Sequence, residues 1–126
     1  MDWKPITRGK PEILGVNARY PGLLDVRVRL SSNPPPEWAR LFKAPSGHVT
    51  VPGRTLNLSA ATISVSLSDD ELGSHVAAID ERLRLANEEF ARDVLPKIQA
   101  REEQKKREEE EKAARLAAAR KKAQDL

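Results

Sequence analysis

Cysteine is absent from the 126-residue chain, which excludes a disulfide framework, a cysteine-ligated zinc ribbon and a thiol nucleophile together. Aromatic residues are scarce, with Trp3, Tyr20, Trp38, Phe42 and Phe90 the whole set, so the core must be mostly aliphatic. No apolar run approaches the roughly 20 residues that span a bilayer. Met1 to Glu12 mixes charge, proline and glycine and lacks the apolar stretch of a secretory signal. The expectation is a soluble, cytoplasmic protein. The means of catalysis are thin as well. The six glycines are scattered singly, so neither a phosphate-binding loop nor a dinucleotide fingerprint can be assembled. No serine stands in a nucleophile elbow, and His48 and His75 are the only histidines. No enzymatic activity, cofactor or small-molecule substrate is expected.

The formal net charge of +3 hides an uneven layout. Residues 1–96 carry twelve basic and twelve acidic side chains, whereas residues 97–126 carry ten basic and seven acidic. The excess belongs to the tail, so the chain divides into a neutral head, 1–96, and a charged arm, 97–126.

From Glu12 to Leu30 the pattern reads as two strands around Tyr20-Pro21-Gly22-Leu23. Leu24, Val26, Val28 and Leu30 alternate with Asp25, Arg27 and Arg29, the period of a strand with one dry and one wet face. Proline followed by glycine suits a type II turn, in which the second central residue has positive φ. Asn33 and three prolines then break the pattern. Trp38, Leu41 and Phe42 at i, i+3 and i+4 predict a short helix over 37–43.

A second strand pair is expected, with Val49 and Val51 before Pro52-Gly53 and Leu56 and Leu58 after it. Ile63, Val65 and Leu67 alternate out of step with Leu56 and Leu58, so Ser59 to Ala61 must absorb the slip as a bulge or as a bend between strands. Val26 to Ser31 and Ile63 to Ser68 share an alternation ending in Leu-Ser, which suggests two ββα units.

Ser68 with Glu71 forms a capping-box signature, and Asp69 and Asp70 place negative charge at the positive end of a helix dipole. Leu72, Val76, Ile79, Leu83, Ala86, Phe90 and Val94 recur at spacings of three and four as one apolar stripe. Leu85 lies off that stripe. Pro96 predicts a kink or break. Beyond Ile98 no Leu, Ile, Val, Met or Phe occurs before Leu116, so a coiled coil would lack a seam. Acid-before-base pairs four apart, such as Glu103 with Arg107 and Glu108 with Lys112, still support a helix about 45 Å long.

The fold class is therefore α+β, a small antiparallel sheet of four or five strands in ββαββα order, covered by a long C-terminal helix. Asp69, Asp70, Glu71 and His75 could chelate a divalent metal and so support a metal-dependent hydrolase. One histidine with neighbouring carboxylates is an incomplete shell, and capping accounts for the same residues, so no metal site is assigned. The functional expectation is a non-enzymatic interaction module, a subunit whose head docks into a protein assembly or self-associates while the arm contacts a protein partner. Trp3, Leu85, Lys112, Arg115 and Leu116 are its candidate contact residues. The alternative is nucleic-acid binding through Arg27 and Arg29 on a strand face with Arg120, Lys121 and Lys122 at the tail end. It is weakened by the absence of aromatic platforms beside the arginines and by the acidic run Glu108 to Glu111 among the cations. Membrane insertion is not expected, because the arm has no apolar face.

Overall fold

The computed structural model describes residues 3–43 and 56–126. The strand expected around Val49 and Val51, with His48, Pro52, Gly53 and Arg54, lies outside the described residues. Among those described, the order is β1 (Glu12–Val16), β2 (Leu24–Arg29), α1 (Pro36–Lys43), β3 (Asn57–Ser59), β4 (Thr62–Leu67), α2 (Leu72–Glu89) and α3 (Leu95–Gln124). The four strands form one antiparallel sheet in the order β1-β2-β4-β3. Leu24, Val26 and Val28 stand directly opposite Leu67, Val65 and Ile63, so all six side chains share one face. Trp38 and Phe42 of α1 and Ile79, Leu83 and Ala86 of α2 join Val28 and Ile63 in the main core. Each fully buried large side chain contributes on the order of 1.5–3 kcal/mol. Among the described residues, helices cover that face and none covers the other, giving the expected α+β layering. The two similar segments of the sequence are the paired central strands, with their corresponding residues Arg27 and Ser64 directly opposite each other.

The turns differ from expectation in an instructive way. Leu23 N–H donates to the Tyr20 carbonyl at 2.9 Å, as a turn centred on Pro21-Gly22 requires. Gly22 does not have positive φ, so the turn is not type II. The Asn17 side-chain oxygen accepts the N–H groups of both Arg19 and Tyr20, each at 2.9 Å, and this asparagine turn starts the reversal three residues earlier than proline and glycine alone suggest. The slip after Leu58 is a reversal. Ser59 pairs with Thr62 across Ala60-Ala61, and a two-residue turn between antiparallel partners sets Leu58 opposite Ile63, which changes the parity of the alternation. Ala60 adopts φ 52° to make it.

A bulge interrupts β1. Ile13 pairs with Val26 and Gly15 with Asp25, so Leu14 is the extra residue, and Gly15 takes φ 154°, a conformation open to glycine.

At the start of the long helix, the Glu71 carboxylate accepts the Ser68 N–H at 3.2 Å and the Ser68 hydroxyl at 2.8 Å, as the capping signature requires. A 3-10 turn over Asp69–Glu71 leads into α2. Pro96 does not break the helix. A π-helical segment, Phe90–Val94, precedes α3, with Leu95 N–H bonded to the Phe90 carbonyl five residues back. This wider turn accommodates a residue that has no N–H to give and crowds the turn before it. Val94, Leu95 and Ile98 pack on the main core, and every residue from Gln99 onward is exposed.

Candidate interaction surface

Three surfaces present candidate binding chemistry: the open sheet face, the β1 edge and the arm. On the open face one carboxylate serves two guanidiniums. Glu12 accepts Arg27 at 2.7 Å and Arg29 at 3.0 Å, because Glu12 stands opposite Arg27 across the β1–β2 pair. The Arg27 hydrogen bond, supported by the charges of both arginines, holds the Glu12 carboxyl below the usual carboxylate range. Beside them, Asp25 accepts the Asn17 amide at 2.9 Å and the Ser66 hydroxyl at 2.8 Å, and these bonds hold its carboxyl below the ordinary range too. Leu14, Asp25, Asn57, Ser64 and Ser66 surround a shallow depression of about 440 Å³ on this face.

The β1 edge is greasy where a lone sheet would be expected to be polar. Ile13 is 49% exposed, Leu14 56%, Val16 61%, and Tyr20 in the following turn 55%. The remaining strongly exposed large apolar side chains among the described residues, Leu116 and Leu126, belong to the arm. The sequence carries no local sign of this patch, because Ile13-Leu14 has the pattern of core until the strand order puts β1 at the rim.

The expected contact residues are dispersed. Trp3 is half-buried against Phe90, with ring centroids 5.0 Å apart, and its indole N–H is buried with no partner among the described residues, so much of its surface is already used. Leu85 is half-buried on α2. Lys112, Arg115 and Leu116 are exposed on α3, where Glu103 and Arg107 close an ion pair at 2.8 Å. Arg27 and Arg29 are brought together, but onto Glu12. Arg120, Lys121 and Lys122 stand at the far end of α3, with Arg120 about 33 Å along the helix from Ile98 at 1.5 Å per residue.

The chelating pair drawn from the helix start does not form. His75 is 1% exposed, its Nδ1 lies 3.0 Å from the main-chain oxygen of Glu71, and the Glu71 carboxylate is turned to Ser68. The imidazole is a core residue, because the buried face of the helix runs through His75, Ile79, Leu83, Ala86 and Phe90, turned away from Val76, which stays half-buried. Among the described residues no group of three or more histidine, cysteine or acidic side chains could hold a metal, and no helix is long and apolar enough to cross a membrane. Comparison with protein-family models, with curated proteins and with solved structures finds no match.

Proposed function

We propose that the protein is a non-enzymatic interaction module, whose head docks into a protein assembly through its β1 edge while α3 carries a charged arm to a protein partner. The observation that carries this reading is the gathering of exposed Ile13, Leu14, Val16 and Tyr20 at the edge strand β1 and its turn, an edge that no other described strand pairs. Exposed apolar side chains gathered at one rim of a small domain mark a place where another surface fits. The arm supports it, since from Gln99 onward it is exposed throughout and presents Lys112, Arg115 and Leu116 to whatever lies alongside.

The test is affinity capture with the full chain from its native host, repeated after nuclease digestion and repeated again with Lys112→Glu, Arg115→Glu and Leu116→Asp together. A protein partner retained after nuclease and lost on the arm substitutions supports the reading. Capture that disappears with nuclease replaces it with nucleic-acid binding, and capture indifferent to the substitutions removes the role of the arm. Glu12 weighs against the nucleic-acid reading, because it already neutralises charge on Arg27 and Arg29 where phosphates would have to sit.

A further inference from the structure

We propose that β1 is the contact strand of a symmetric dimer, in which two copies of this chain pair edge to edge and their sheets become one. The inference rests on the reading of the head as an interaction module and names what its edge receives.

An edge strand offers a row of main-chain donors and acceptors to another strand. What can add to β1 is limited by the side chains of Ile13 to Val16, which are apolar on both faces. Ile13 stands opposite Val26 and Val16 opposite Leu24, which puts both on the helix-covered side, while Leu14 lines the depression on the open side. In a regular strand, residues three apart point to opposite faces. The extra residue Leu14 brings Ile13 and Val16 onto the same face, so the bulge that elsewhere blunts an edge here makes the strand complementary to itself. A two-fold axis perpendicular to the sheet sets Ile13 of one copy against Val16 of the other, twice. It also sets Leu14 against Gly15, which has no side chain to obstruct it and shares the open face with Asp25. Antiparallel pairs of this kind have both side chains on one face, and helices of both copies then lie on the same side of the joined sheet.

Electrostatics permit the approach. Residues 13–16 carry no charge, Glu12 is held by Arg27 and Arg29 of its own chain, and Asp25, opposite Gly15, accepts from Asn17 and Ser66. No like charges are driven together at the axis. A closed two-fold contact is also the commonest way in which a soluble chain buries a patch of this type.

The experiment is sedimentation of the full chain over a wide concentration range, beside the double variant Ile13→Lys, Val16→Lys, whose fold is checked by circular dichroism. The natural chain is expected at twice the chain mass and the variant at the chain mass, because both side chains are already solvent-exposed in the single copy and their replacement leaves the head folded. A second variant, Ile13→Cys with Val16→Cys in a chain that has no other cysteine, is expected to give a covalent dimer on oxidation. A natural chain that stays at single mass overturns the proposal, as does a dimer that survives the lysine substitutions or fails to cross-link. A single-mass chain that still captures a protein through its arm sinks the dimer alone. A dimer whose capture ignores the arm substitutions sinks the arm reading and leaves the dimer standing.

Discussion

The side-chain oxygen of Asn87 accepts the indole N–H of Trp38 at 2.9 Å. The same amide accepts the Ile6 N–H at 2.9 Å and donates to the Ile6 carbonyl at 2.9 Å. One polar side chain on α2 therefore ties both α1 and the N-terminal segment to the helix, and the ion pair between Arg8 and Asp80 fastens the same segment again nearby. Asn87→Leu removes all three bonds and leaves buried polar groups with no partner. The expected loss is about 2–4 kcal/mol of stability, read from urea denaturation followed by tryptophan fluorescence. A loss within experimental error would show that the amide does not hold these elements together.

Ala60 turns the β3–β4 hairpin at φ 52°, a left-handed conformation that costs a residue with a Cβ about 1–2 kcal/mol. Glycine adopts it freely but loses more freedom on folding. Ala60→Gly is expected to stabilise the protein by about 0.5–1 kcal/mol, raising the thermal midpoint by a few degrees, while Ala60→Val is expected to lower it. A midpoint that falls on glycine substitution contradicts the assigned turn.

Asp25 and Glu12 both titrate below their ordinary range when folded, the first through Asn17 and Ser66, the second chiefly through Arg27. Their contribution to stability is complete above the unfolded carboxylate range near about pH 4 and is lost as pH falls through their depressed native values. Acid titration of the unfolding free energy should therefore decline below that range. Asp25→Asn and Glu12→Gln are each expected to flatten the decline, and an acid limb identical to that of the natural chain would refute the assignment.

Removing residues 99–126 takes away side chains that are exposed throughout. The truncated chain is expected to keep the melting midpoint of the head while losing the helical signal of the arm in far-ultraviolet circular dichroism. A midpoint lowered by many degrees would mean that the arm supports the head. Val94, Leu95 and Ile98 do pack on the core, so a cut placed before Val94 is expected to destabilise it.

Much of this architecture is legible in the residues. The alternation of Leu24, Val26 and Val28 names the dry face of β2, Ser68 with Glu71 marks the helix start, and Ile79, Leu83, Ala86 and Phe90 of the apolar stripe do join the core, although Val76 stays half-buried. Other features are hidden. Gly22 reads as the pivot of its turn, yet Asn17 organises the loop. His75 reads as part of the polar first turn of the helix, yet it is buried at 1% exposure. Arg27 and Arg29 read as free cations on a wet face, yet Glu12, more than ten residues earlier, lies between them.

By itself the sequence determined the faces, caps and periods of the elements and the lack of an apolar seam in the arm, because each follows from backbone geometry within a strand or a helical turn. Only the tertiary structure decided which strands are neighbours, and with that the exposure of Ile13, Leu14 and Val16 at the rim and the three bonds made by Asn87. Period tells a side chain which way to point, whereas the choice of neighbour depends on burial shared between segments far apart in the chain. An apolar strand has the same local pattern at the edge of a sheet as at its centre.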